Sequence, residues 1–352
     1  MRKPLQGVRV VSLAQQYPGP FATLLMSDLG AQVVQVEHPN GDPTRRHAAF
    51  YESVNRNKSG VCLDLKTPEG QRRLAELLSE CDIFVEGFRP GTADRLGVGY
   101  KALAERYPRL IYVSVSAFGQ TGPYRDRPAH DLSIQAISGM LWGHERAAVD
   151  PPYIGHADLV AGLFAAFGAV SALHQRAATG NGTYVDVAMA DCLVSWMTAI
   201  VGPAMNGAAL NEPNQPGYGA FECADGRWLT LSVIEEEHFW QALVRLLGLS
   251  ELSEVTYHER AQRCAELGER LAFAVRARPR DAWAAEFDRV GVAWSPVLSP
   301  IEVATDAHFN ARDMFVRLAT PEGERRFVAQ PLKFEGLRLQ PERPAPPLRQ
   351  PS

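Results

Sequence analysis

The chain has 352 residues, 46% of them hydrophobic and 22% charged, a balance that fits a globular protein with one large domain and a smaller one. Its formal net charge of −4 argues against general nucleic-acid binding, which shows as a basic domain or stripe, while leaving room for local arginines that hold an anion. Five scattered cysteines, with no CxxC pair, zinc-type cluster or HExxH helix, lead us to expect a reducing, cytoplasmic setting and no metal.

The first seven residues lead directly into a strand pattern without a signal-peptide core, and no apolar stretch reads as long enough to span a bilayer, so no membrane partner is expected. Residues 7–13 form a β-branched run, 21–29 a helical one and 31–37 a second strand. Residues 61–65, a charged helix over 68–81 and a strand over 83–86 repeat the theme, and 110–116 adds an apolar strand. Strands alternating with helices imply an α/β fold with a largely parallel, Rossmann-like sheet covered on both faces. The first strand-to-helix turn, Ala14-Gln15-Gln16-Tyr17-Pro18-Gly19-Pro20, lacks the GxGxxG that lets backbone approach a pyrophosphate, so Glu37 is a poor candidate for a ribose-binding acid. Neither a Walker sequence nor a GxSxG nucleophile elbow occurs.

An apolar helical run over 159–173 follows directly on Asp158, which could cap it. Residues 202–219, rich in Pro, Asn and Gly, read as a linker. Beyond it, strands over 219–223 and 228–233 flank the hairpin signal Asp225-Gly226. Helices follow over 237–247, 258–277 and 280–290, then strands over 292–297 and 326–334. The proline-dense segment 340–352 reads as extended or partly disordered.

Histidine and carboxylate are the side chains best suited to proton transfer near neutral pH, which makes His130 and Asp158 a candidate acid/base couple. Either residue alone has an ordinary structural explanation. Their surroundings add weight: VEGFRPGTADRLGVGY at 85–100, GQTGPYRDRPAHDLSIQAISG at 119–139 and HADLVAGLFAAFGAVSALHQRAATGNGTYVDVAMAD at 156–191. Together, in this order, they resemble the class III coenzyme A transferase family, CaiB/BaiF, from about residue 5 to 334. Within it, His130, Asp158 and Glu235 in VIEEEHFW resemble the α-methylacyl-CoA racemase branch, whereas the transferase branch has an aromatic residue in place of His130.

The resemblance implies an acyl-CoA substrate, with coenzyme A as part of the substrate and no permanently bound cofactor. It also implies an interlocked homodimer and a chain that returns to its first domain. The expected layout is a CoA-binding domain over 1–200, a linker over 201–218, a small α+β domain over 219–310 and a return over 311–352. Arg89, in Gly-Phe-Arg-Pro-Gly, matches a family position expected to contact the coenzyme. Arg45, Arg46 and Lys58 are further cations for its phosphates, and His38 stands where some transferases carry arginine.

The leading expectation is racemisation of 2-methylacyl-CoA thioesters: one of His130 and Asp158 removes the acidic α-proton and the other returns it on the opposite face. Asp131 and Glu235 would orient His130, and amides beside Asp158 would steady the enolate oxygen. The alternative is a CoA transferase in which Asp158 attacks the thioester and becomes an aspartyl-CoA. Gln135-Ala136 and Ser138-Gly139 favour transfer; a short chain and the lack of a GGGG-type loop count against it. A binding protein that keeps the fold without its chemistry is the third reading. The sequence does not name the acyl group.

Overall fold

The structure is a computed structural model that describes residues 1–142, 154–208 and 214–348. It divides into two compact units, Met1–Asn206 with Asn310–Ser352, and Gly207–Phe309. The first unit opens with β1 (Arg9–Ser12), α1 (Pro18–Asp28), β2 (Gln32–Glu37), α2 (Ala48–Asn55), β3 (Ser59–Cys62), α3 (Pro68–Ser79) and β4 (Ile83–Glu86). Next come α4 (Thr92–Arg95), α5 (Tyr100–Arg106), β5 (Ile111–Ser116), α6 (Asp131–Ile137), α7 (His156–Thr179), β6 (Tyr184–Ala188), α8 (Met189–Trp196) and α9 (Thr198–Met205).

All six strands are parallel, in the order β3-β2-β1-β4-β5-β6. The α/β, Rossmann-like expectation holds. Because strand side chains alternate between faces, Val10, Ile83 and Val85 enter a core with α1 and α7. Val11, Phe84 and Tyr112 enter the opposite one, with Leu74, Leu78 and Leu103. Each such aliphatic residue, fully buried, contributes roughly 1.5–3 kcal/mol. The order reverses between β1 and β4, and such a switch point opens a crevice beyond the carboxyl ends of the strands.

Helix α7 lies along this sheet on small residues, Ala157, Ala161, Ala165 and Ala169, spaced four apart so that they share one face. Gly162 makes the crossing with α1 close: a Cβ there would stand 2.7 Å from the Pro18 carbonyl oxygen. At 24 residues α7 is long and apolar enough to cross a bilayer, which corrects the expectation that no stretch is. Its packing on α1, α8, β5 and β6 accounts for the apolarity of its buried face as a core helix does.

The second unit contains β7 (Tyr218–Glu222), β8 (Trp228–Ser232), α10 (Glu237–Leu246), α11 (Tyr257–Gln262), α12 (Cys264–Val275), α13 (Arg280–Val290) and β9 (Trp294–Pro296). Its three strands form an antiparallel sheet over a core centred on Trp240, Leu271 and Phe287. Gly226, at φ +73°, makes the predicted hairpin turn. The expected helix over 258–277 is instead two, interrupted at Arg263.

One further expectation is revised. Helix α9 runs into the segment read as linker and contains Gly202 and Pro203; residues 209–213 of that segment lie outside the described residues. After a hairpin of β10 (Phe315–Thr320) and β11 (Gly323–Val328), the proline-dense tail, as far as residue 348, runs without helix or strand, as the extended alternative has it, and is hydrogen-bonded to the first unit. Pro341 and Pro346 are buried, and Asn57 N–H donates to the Arg343 carbonyl at 2.9 Å while Asn57 Oδ1 accepts from the Glu342 N–H at 2.9 Å. Residues 349–352 lie outside the described residues.

Candidate active site

A cavity of about 730 Å³ opens in the first unit beyond the carboxyl ends of the parallel strands. Three connections supply its walls: the β1–α1 turn, the segment after β4, and the loop between β5 and α6. In the first, Gln16 holds φ +69°, costly for a residue with a Cβ, and its N–H donates to Asp42 Oδ2 at 3.2 Å. Backbone passes so close here that a Cβ on Gly19 would lie 2.2 Å from that of Ala14. In the second, Gly91 takes φ +77° to turn the chain after Arg89.

Asp158 lines this cavity from the first turn of α7. It is not the helix cap; Gly155 is, and Gly155 has no side chain to offer. The end of the helix is satisfied from α6. Asp131, 5% exposed, accepts at Oδ1 from the N–H of Ala157 (2.7 Å) and of Asp158 (3.1 Å), and at Oδ2 from Gln135 Nε2. We expected Asp131 to orient His130; the structure gives its carboxylate the end of the helix that carries Asp158. For the same reason the two amides expected to steady an enolate oxygen are already occupied.

The Asp158 carboxylate accepts no hydrogen bond among the described residues. Burial pushes its pKa from the ordinary 3.8 to about 7, with the nearby Asp131 charge adding to the effect. His130, in extended conformation at the start of α6, is exposed and lines the same cavity, so the structure does bring this pair to one site. Glu235 belongs to the second unit, exposed in the turn before α10.

The cationic candidates separate clearly. Arg89 is exposed on the cavity. His38 lines a smaller recess of about 160 Å³ that shares Leu13, Gln15 and Phe88 with it. Arg45 is committed elsewhere: it pairs two-pronged with buried Glu37 at 2.7 and 2.6 Å, donates to Tyr51 Oη at 2.6 Å and to the Pro346 carbonyl at 3.0 Å. Lys58 is 1% exposed, donating to the Pro20 carbonyl and Asn55 Oδ1, and burial holds its pKa well below the usual lysine range. Arg45 and Lys58 are therefore framework residues, and both coenzyme assignments are withdrawn.

Sequence reading passed over three lining residues, Tyr17, Arg125 and Arg127. The signal was there: Gly119 and Gly122, both at positive φ, punctuate a loop that carries two arginines in three positions. Among the described residues no cluster of His, Cys, Asp and Glu could hold a metal ion.

The model of CoA-transferase family III matches residues 5–351. The chain is 32% identical to acetyl-CoA:oxalate CoA-transferase of Acetobacter aceti, covering 98% of itself and 92% of that protein. It is 31% identical to succinyl-CoA:glutarate CoA-transferase of Mus musculus, with coverages of 99% and 84%. A solved CaiB/BaiF family protein from Brucella suis is similar at a TM-score of 0.88 and 30% identity, over 99% of this chain and 97% of that one. These coverages leave little to the argument that the chain is too short for a transferase.

Proposed function

The chain belongs to CoA-transferase family III, and from that premise we propose that this enzyme moves coenzyme A from an acyl-CoA donor to a carboxylic acid through Asp158. The relatives named above are CoA-transferases and not racemases, which reverses the order of the two expectations. The observation that carries the reading is the state of Asp158: half-buried, without a hydrogen-bond donor among the described residues, facing a cavity, and with burial pushing its pKa to about 7. A carboxylate stripped of donors is a better nucleophile than a solvated one.

Asp158 Oδ attacks the donor carbonyl, the C–S bond breaks, and an acyl-aspartyl anhydride and a CoA thiolate result. The thiolate attacks the aspartyl carbonyl and expels the donor acid, leaving aspartyl-CoA. An acceptor carboxylate then repeats the two steps in reverse, regenerating Asp158. Arg89 and His38 would meet the phosphates and nucleotide end of the coenzyme.

Racemisation keeps one supporting observation, the presence of His130 on the same cavity. Incubation with succinyl-CoA, then hydroxylamine and peptide mass mapping, separates the two: transfer tags Asp158, whereas a racemase exchanges an α-proton with deuterated water and never forms the adduct. We also propose that two chains assemble, because Leu163, Phe167 and Val170 of α7 and Trp196 of α8 are exposed apolar residues. A folded monomer in sedimentation at low concentration would count against assembly.

A further inference from the structure

Acyl transfer at Asp158 passes through tetrahedral oxyanions, which need a donor aimed at the developing charge. The neighbouring helix amides of Ala157 and Asp158 are spent on Asp131. Another donor has to come from the cavity wall. Tyr17 lines that wall and its hydroxyl carries no hydrogen bond among the described residues. A Cβ placed on Gly155 would lie 2.9 Å from Asp158 Oδ2 and 3.3 Å from Tyr17 Cε1, so ring edge and carboxylate border the same small gap. The ring is held edge-on by Phe50, with centroids 4.8 Å apart at 77°, and by Phe21 at 6.3 Å and 71°.

We propose that Tyr17 is a catalytic residue whose O–H donates to the oxyanion formed when the Asp158 carboxylate, or the CoA thiolate, adds to an acyl carbonyl. The proton stays on the phenol throughout; the hydrogen bond shortens as charge builds on oxygen and relaxes as the C–S or C–O bond breaks. Burial, then the charges of Asp158 and Asp131, raise the Tyr17 pKa, which keeps the hydroxyl a donor across the physiological range. The proposal rests on the aspartyl-transfer reading.

Tyr17→Phe removes one oxygen and leaves the ring contacts with Phe21 and Phe50. With succinyl-CoA and a panel of carboxylic acid acceptors, we expect kcat to fall by about 10²-fold or more, as on loss of an oxyanion donor, with KM for succinyl-CoA little changed. A fluorinated tyrosine at position 17, more acidic than tyrosine, should move the alkaline limb of the kcat profile to lower pH. A Tyr17→Phe enzyme within a factor of two of wild type, or an alkaline limb indifferent to fluorination, overturns the assignment while leaving aspartyl transfer standing. A wild-type enzyme that forms no hydroxylamine-sensitive Asp158 adduct overturns the parent reading and this one with it.

Discussion

Asp158→Asn should stabilise the protein while abolishing transfer. The carboxylate of Asp158 has its pKa raised from 3.8 to about 7, so across that interval the folded state holds a proton that the unfolded chain has released. The cost of burial is absent below the unfolded value, grows as pH rises, and is complete once pH passes the folded value. At about 1.4 kcal/mol per unit, the penalty reaches about 4 kcal/mol near pH 8, an upper figure since the cavity admits water. About 3 kcal/mol of that accrues between roughly pH 5 and pH 8. Asparagine stays neutral throughout and escapes it. Urea denaturation of both proteins across this range should show the variant more stable at the alkaline end, by a gap that closes toward the acid end. Thermal melts should differ on the order of 5 °C at the alkaline end. A variant less stable than wild type near pH 8, or a gap that does not change with pH, would refute the proposal that burial holds Asp158 as a desolvated nucleophile.

Arg45→Ala leaves Glu37 buried without its cation and should cost about 3–5 kcal/mol in denaturant unfolding. Arg89→Ala should raise KM for succinyl-CoA about tenfold at nearly unchanged kcat in steady-state assays, since an exposed cation contributes to binding of the coenzyme throughout the reaction. His130→Ala should retain measurable transfer, and complete loss in a folded variant would revive proton transfer as the chemistry. Gly162→Ala drives a methyl against the Pro18 carbonyl and should lower stability by about 1–3 kcal/mol, read from the denaturation midpoint.

Periodicity revealed the skeleton of this protein because its signals are local. The strand over 83–86 and the helix over 280–290 were bounded correctly from sequence, the one by an unbroken apolar run and the other by a proline before it and Gly291 after it. Asp158 and His130, read together from the sequence, do line one cavity. What sequence could not convey was which charged groups were already engaged. Lys58 and Arg45 look like free surface cations until folding delivers Pro20, Asn55 and Glu37 to them. Asp131 sits beside His130 in sequence, yet the groups its carboxylate caps lie 26 and 27 residues further on. Tyr17 gave no signal because a lone tyrosine in a turn acquires meaning only from a helix more than a hundred residues away.

The proline-dense tail also bears on how the chain is made. Lys3 is paired with Glu342, and the tail is fastened to Asn57 and Arg45, so some of the bonds that finish the first unit join residues about three hundred positions apart. Residues 207–309, by contrast, are contiguous and hold their own core. During synthesis the second unit can therefore mature as soon as it emerges, while the catalytic unit waits with an edge of its sheet, at β3, uncovered. Slow or interrupted translation beyond residue 310 would expose that edge longest, and an unpaired strand edge is open to association until the tail packs beside it.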